Sequence, residues 1–593
     1  MNYQEEEILG KAYDSRLMKR LLKYLRPYRL QIFMAIILLL FSAAIQLAGP
    51  FLVKIAIDNY IAKGLMDGLL IIATAYLVVL AFEFLTIYLQ RYLTQWIGQH
   101  VMFDIRMQIF SHLQNLPLTF FDKNPVGRLV TRTTNDVETL NQMLSSGVVS
   151  LFGDIFVLTG IIIVMLKLNW QLALLTFSVL PFIFYVTFQF RSRVRESYRK
   201  VRLRIARINS FLQENISGMP IVQLFNREEK NFRKFDELNK DHLNAHLETI
   251  RYYAIFFPAI ELIGAIALAV ILWYGGLKVM SGALTLGVVV AFIQYAERFF
   301  HPIRDLSEKY NILQAAMASS ERIFKLLDTP AQTIEPPQPL RLPPARGEIE
   351  FVNVSLSYNE SDYALKNVSF KIKPGEKVAI VGATGAGKTS LINLITRMYE
   401  QNTGTIYLDG VDISRLNIYE LRRRVRMVLQ DVFIFSGTVA ENIRLGDKSI
   451  SDERVIQAAR DVNAHTFIEK LPLGYQTELT ERGSNLSVGQ KQLLSFARAL
   501  AFNPEILILD EATSSVDTET ELLIRDAINK LMTDRTSLII AHRLSTIQNV
   551  DWILVLHKGT VREMGTHEEL MAKRGIYYRL YQLQYARESE LKS

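Results

Sequence analysis

The chain has 593 residues, 50% of them apolar and 21% charged, with a mean hydropathy of +0.15. That hydropathy excludes a wholly water-soluble chain, and that share of charge excludes one embedded in lipid throughout. The formal charge is +8, from 67 Lys and Arg against 59 Asp and Glu, and there is no cysteine. Disulfides, thiolate metal sites and a cysteine nucleophile are thereby excluded. The opening stretch, MNYQEEEILG, has neither the basic segment nor the small-residue cleavage site of a signal peptide. The N-terminus is expected to stay uncleaved on the cytoplasmic side.

Six apolar stretches approach the length that crosses a bilayer: Gln31–Val53, Gly68–Leu89, Gly147–Leu166, Trp170–Phe190, Tyr252–Tyr274 and Gly282–Phe300. Between them the Lys and Arg counts alternate. There are seven before the first stretch, then two, five, one, fourteen and one in the successive connections. Basic residues concentrate on the cytoplasmic side of inner membranes, so both termini and the two long loops are placed there. This distribution accounts for the excess positive charge without nucleic acid. The long loops, about 57 and 61 residues, carry helical spacing and a short break each, FFDKNPVGR at 120–128 and ISGMPIVQLF at 216–225. They read as helical arms with a turn at the tip, suited to touching a partner domain. Three carboxylates, Glu83, Asp154 and Glu261, fall within the apolar stretches. Intramembrane carboxylates usually face a bundle interior or cavity, so they are candidates for a substrate cavity that attracts cationic amphiphiles. Pairing with arginines, or a place above the bilayer on helices that overshoot it, is the alternative. Pro50, Pro181 and Pro258 are expected to mark kinks.

Residues 330–344 hold six of the 17 prolines, which marks an extended linker. Beyond it, short β-rich runs alternate with helices, the pattern of an α/β domain with a mostly parallel sheet. The closing stretch, GIYYRLYQLQYARESELKS, reads as an amphipathic helix running into a polar tail.

At 377–390, KVAIVGATGAGKTS sets a buried strand before Gly382, Ala383, Thr384, Gly385, Ala386, Gly387, Lys388, Thr389 and Ser390, followed by a helix. Glycines in such a loop let backbone N–H groups wrap phosphates, the lysine reaches the β/γ oxygens, and the Thr389 hydroxyl can hold Mg²⁺. A second apolar strand ends in Asp510 and Glu511. The first carboxylate suits the surroundings of Mg²⁺ and the second a water attacking the γ-phosphate. A third strand, SLIIAH, ends in His542, placed to hydrogen-bond the γ-phosphate. Ser487, Val488, Gly489 and Gln490 open another helix, either an ordinary serine cap or a phosphate-facing terminus.

Together these motifs resemble the ATP-binding-cassette family, and nearly the whole chain, from about residue 16 to 585, resembles an ABC exporter half-transporter. The resemblance implies a polytopic α-helical membrane domain of six transmembrane helices with long cytoplasmic extensions. To this it adds an α/β P-loop ATPase cassette with a RecA-like core and a helical subdomain. The corresponding divisions are a basic elbow at 1–29, the membrane domain at 30–325, a linker at 326–346, the cassette at 347–583 and a tail at 584–593. It further implies that Tyr358 stacks on adenine, that Gln430 is the Q-loop glutamine contacting the metal and the arms, and that Asp517 belongs to the D-loop. Residues 480–483, TERG, match the stretch that touches the partner's loops, Ser487–Gln490 become the signature that caps the partner's ATP, and the tips near 120–128 and 216–225 become coupling helices.

The family signature has glycine where this chain has Val488, while Lys388, Gln430, Asp510, Glu511 and His542 keep the hydrolysing pattern. A β-branched residue adds bulk and restricts dihedrals where glycine is free. The combination is the one expected of one member of a heterodimer, with a homodimer that tolerates Val488 as the alternative. The implied function is ATP-hydrolysis-driven export of hydrophobic or amphipathic compounds, multidrug-type, by alternating access across the cytoplasmic membrane. ATP and Mg²⁺ serve as cofactors and a second half-transporter as partner. A lipid or lipid-linked-glycan flippase, and an ATP-gated channel or regulator that does not pump, are the alternatives.

Overall fold

A helix in lipid satisfies its backbone internally, so long apolar stretches become long helices, and the arms extend them past the bilayer. The computed structural model describes residues 14–66, 68–330, 340, 346–359, 362–510, 518–540 and 550–583. The proline-rich linker lies almost wholly outside them. The chain divides into two units, and the division is not a single cut. One unit takes Met1–Gln114 and Pro125–Pro330, and the other takes Asn115–Asn124 together with Ala331–Ser593.

In the first unit, five helices among the described residues are long and apolar enough to cross a membrane: Arg26–Ile61, Leu69–Gln114, Leu151–Leu168, Trp170–Ser217 and Glu228–Met280. The sixth apolar stretch of the sequence opens the 42-residue helix Leu286–Leu327. Of the three prolines expected to kink, Pro50 and Pro258 sit inside continuous helices. Only ahead of Pro181 does the helix break, for one turn at Ser178–Val179. Proline removes one donor from the ladder, and a neighbouring helix can satisfy what it frees.

The arms are zipped by polar pairs. Ser197 and Thr249 hydroxyls meet at 2.7 Å in a buried contact, and Lys200–Glu248 and Arg204–Asp241 follow along the same two helices. Exposed pairs of this kind contribute about 0–1 kcal/mol each. A buried Asp136 accepts from Ser319 Oγ at 2.9 Å and from Arg322 Nε at 3.0 Å, fastening the other arm to the last helix. Short helices stand at both predicted tips, Leu118–Lys123 and Met219–Leu224.

The second unit is built on a six-stranded sheet. Among the described residues the strands of the unit in chain order are β1 Ile349–Asn359, β2 Asp362–Ile372, β3 Lys377–Val381, β4 Thr403–Leu408, β5 Val411–Asp412 and β6 Val425–Val428, then β7 Gly437–Thr438, β8 Glu478–Leu479, β9 Ile506–Asp510, β10 Thr536–Ile540, β11 Trp552–His557 and β12 Thr560–Gly565. The central sheet runs β12-β11-β3-β10-β9-β6, with only β12 antiparallel. The mostly parallel sheet expected from the sequence is this one. It is accompanied by a wholly antiparallel sheet, β2-β1-β4-β5, that the strand–helix alternation did not reveal.

Side chains alternate across a strand, so a run such as Ile506–Leu509 feeds two cores. Val378, Ile380, Ile506, Ile508 and Leu538 pack with Phe351, Leu365 and Leu391 on the side of the antiparallel sheet. Ala379, Val381, Leu507, Leu509 and Ile539 pack with Leu493, Phe496 and Ile524 on the helical side. The helices Val439–Arg444, Asp452–Asp461 and Val488–Ala501 form that helical layer.

Candidate functional site

In a parallel sheet the loops at the carboxyl ends of the strands gather at one edge, where ligands bind. Here β10 pairs with β3 on one side and β9 on the other, Ile540 standing opposite both Ile380 and Asp510. β6 lies beside β9, with Val428 opposite Leu509. The loop after β3, Asp510 at the end of β9 and the exposed Gln430 two residues past β6 therefore share one edge. Glu511 directly follows β9 in the sequence, His542 lies two residues after β10, and Asp517 further on. All three lie outside the described residues.

The loop after β3 needs its glycines. Gly387 has φ +103°, and a Cβ there would stand 2.7 Å from the Ala364 carbonyl oxygen. Gly382 would place a Cβ 2.4 Å from the Leu556 carbonyl oxygen. Gly387 also caps the helix Lys388–Ile395 and offers no side-chain acceptor to its first-turn N–H groups. Those donors and the positive end of the helix dipole suit a phosphate. Ala383, Thr384, Gly385 and Thr389 are exposed along this edge, while Ala386 is buried beneath them.

Lys388 is 7% exposed, and its Nζ donates to the Gly382 carbonyl at 2.6 Å and that of Ala383 at 3.3 Å. Burial holds its ammonium below the ordinary lysine range, with the Asp510 charge pulling the other way. The Asp510 carboxyl is pushed up by burial and drawn down by Lys388. A half-buried carboxylate at a strand end, on the same sheet edge as the exposed Thr389, fits Mg²⁺, which prefers one or two protein oxygens plus phosphates and water. Among the described residues no cluster of three or more His, Asp or Glu forms a self-sufficient metal cage.

Tyr358 is the last residue but one of β1 and remains 42% exposed. Its hydroxyl donates to Ser390 Oγ at 2.9 Å, so the Ser390 side chain is engaged by Tyr358. Tyr399, which no motif singled out, packs edge-on against the Tyr358 ring, centroids 4.9 Å apart. Sequence reasoning had no signal for it, because its partners are spread over the chain.

The signature stretch takes the form of a reciprocal cap. Ser487 Oγ accepts from Gln490 N at 3.2 Å, and Gln490 Oε1 accepts from Ser487 N at 3.0 Å. Gly489 is buried and Val488 is the first helical residue, 57% exposed. Val488 is absent from the residues with positive φ. Val488 thus stands in an ordinary first-turn helical backbone, which a valine adopts without strain, with its side chain exposed. In the TERG stretch Gly483 has φ +60° and lies against Ile434, a few residues past Gln430.

In the first unit, Asp154 borders a cavity of about 210 Å³ with Leu151, Leu158, Ile162, Phe184 and Phe299. Neither Glu83 nor Glu261 lines it, and Glu261 is exposed. Asp154 pairs with Lys309, a lysine and not one of the arginines expected as the alternative.

Comparison with known proteins agrees with this geometry. Residues 32–303 match the family described as ABC transporter transmembrane region, and residues 365–514 that described as ABC transporter. The chain is 42% identical to an ABC transporter ATP-binding protein of Bacillus subtilis, YknV, over 98% of its own length and 97% of the relative's. This chain belongs to the ABC exporter half-transporters. It is also 38% identical to an ATP-dependent lipid A-core flippase of Syntrophus aciditrophicus, over 96% of this chain and 94% of that one. A solved bacterial Atm1-family ABC exporter with ATP bound superposes with a TM-score of 0.77 at 28% identity, covering 94% of this chain and 98% of that one. The exporter is accordingly a multi-pass membrane protein and a transport ATPase that binds ATP, drives export with it and works as a dimer.

Proposed function

We propose that ATP binds with its phosphates over Gly382–Ser390 and its adenine on Tyr358, and that Glu511 orients the attacking water. The observation that supports this most is the meeting of Lys388, the Gly387-capped helix and Asp510 at the ends of β3 and β9, the two parallel strands that flank β10. Lys388 leaves its two carbonyl contacts for phosphate oxygens, a charge-assisted exchange. Thr389, Asp510 and Gln430 hold Mg²⁺, which neutralises phosphate charge when bound. His542 donates to the γ-phosphate, and Asp517 lines the dimer face. In the exporter, Glu511→Gln lowers hydrolysis by about 10²- to 10⁴-fold, the range of a lost general base, while ATP binding persists. Near-normal turnover would refute the assignment.

The two sites of the dimer each pair one chain's phosphate loop with the other chain's Ser487–Gln490 helix start. Val488 stands exposed at that start, so its bulk meets the partner's ATP and weakens that site. The natural partner is then a different half-transporter with an intact signature. Robust ATPase activity from this chain purified alone overturns an obligate heterodimer.

The alternation of basic loops supports insertion in the cytoplasmic membrane with both termini and the cassette inside. The transported compound is hydrophobic or amphipathic, of the multidrug kind. The likeness to a lipid A-core flippase favours one second reading, a lipid substrate. Stimulation of ATPase activity by a cationic dye, set against stimulation by lipid-linked glycans, separates the two.

A further inference from the structure

Tyr399 joins two parts of the second unit that lie far apart in sequence. Its hydroxyl donates to Asp122, in the tip helix Leu118–Lys123, and its ring stands at 89° to that of Tyr358. Tyr358 in turn donates to Ser390 in the first turn of the phosphate-loop helix. The turn that carries Tyr399 is rigid. Buried Arg397 reaches the carbonyls of Ile413 and Leu416, both at 3.1 Å, and Arg422 holds the carbonyls of Thr396 and Arg397 at 3.1 and 3.0 Å. Burial and the Asp122 carboxylate keep the Tyr399 phenol above its ordinary range, so it remains a donor at neutral pH.

We propose that Tyr399 is a positioning residue for the adenine nucleotide, setting the Tyr358 ring through its own ring and tying that ring to the arm tip through Asp122. The inference rests on the reading of Tyr358 as the aromatic that stacks on adenine. An ATP that pulls or tilts Tyr358 thereby displaces Tyr399 and, through one hydrogen bond, the tip helix. This route to the arms runs at the adenine end of the nucleotide, whereas Gln430 stands at the phosphate end.

The chain has no cysteine, so one introduced thiol is a unique label. With Val126→Cys carrying an environment-sensitive fluorophore beside the tip, ATP is titrated onto the full chain in nanodiscs. Tyr399→Leu raises the ATP midpoint about threefold or more, the weight of one aromatic pair, and Tyr399→Phe restores it. Asp122→Ala leaves the midpoint within about twofold but halves the amplitude, because the tip is uncoupled and the ring pair is not. A wild-type midpoint in Tyr399→Leu overturns the role of the ring, and full amplitude in Asp122→Ala overturns the tie to the tip. Tyr358→Ala separates the two layers. If it leaves the midpoint unmoved, the adenine reading itself fails. If it raises the midpoint while Tyr399→Leu does not, only the inference about Tyr399 fails. Tyr399→Phe keeps the ring but lacks the hydroxyl that reaches Asp122, so it keeps the wild-type midpoint and loses amplitude as Asp122→Ala does; a raised midpoint there, with an unchanged melting temperature, counts against the ring's role.

Discussion

Ile508 in the cassette and Leu77 in the second membrane helix are both aliphatic, yet the fold treats them oppositely. Ile508 is fully buried between the two sheets, while Leu77 is 65% exposed on a helix facing outward. The cassette hides its apolar residues in itself, because water is the alternative and burial contributes about 25 cal/mol per Å². The membrane helices turn theirs outward, because lipid or a second subunit is the alternative there. The difference teaches that the cassette carries its own solvent shield. The membrane half is completed by its surroundings.

Three substitutions press on this contrast. Ile508→Ala cuts a cavity into a closed core and costs about 2–5 kcal/mol, read as a lowered melting temperature of the cassette transition. A cost near zero breaks the picture of a self-sufficient cassette. Leu77→Asp leaves the cassette transition where it was but costs about 2.5–3.5 kcal/mol in insertion, read by glycosylation mapping of the inserted span. Unchanged insertion places that face against water instead. The smallest effect belongs to the elbow. Arg20 donates to Asp328 at 2.6 and 2.7 Å and lies 4.3 Å over the Phe324 ring. Arg20 holds the Asp328 carboxyl below the usual carboxylate range. A depressed carboxyl stabilises the folded chain above its unfolded value and loses that contribution as pH falls through the folded one. Arg20→Ala therefore costs about 1 kcal/mol or less at neutral pH, and the difference from wild type shrinks in acid below the ordinary carboxylate range to what the Phe324 contact contributes. A difference that grows in acid contradicts the pairing.

How much of this was legible in sequence also differs between the regions. The loop Gly382–Thr389 and the strand ending in Asp510 announce themselves, because phosphate chemistry demands those residue types at fixed local spacing. The six apolar stretches announce themselves by length. Strand order does not: nothing local says that β3 and β9 are both neighbours of β10, since that is set by packing across the whole unit. The antiparallel sheet was missed because β1 and β2 alternate with bulges, at Phe351/Val354 among others, that blur a two-residue period. The motif at Val488 shows the residue and not its backbone, which is that of an ordinary first helical turn. Lys309, the partner of Asp154, and Tyr399, the partner of Asp122, are 155 and 277 residues away from the groups they meet. No spacing rule reaches that far.

The assignment of Asn115–Asn124 to the unit that otherwise begins at Ala331 has a consequence for synthesis. A ribosome adds about 5–20 residues per second, so the tip helix exists for roughly ten to forty seconds before the first residue of its own unit is made. Through that interval Leu118, 39% exposed even in the finished fold, and its neighbours have no docking surface. Membrane insertion of the early helices therefore precedes, and holds in place, a piece that the cassette later folds around. Assembly of this exporter closes backwards along its own chain, with the last-made domain fixing a segment from its first third.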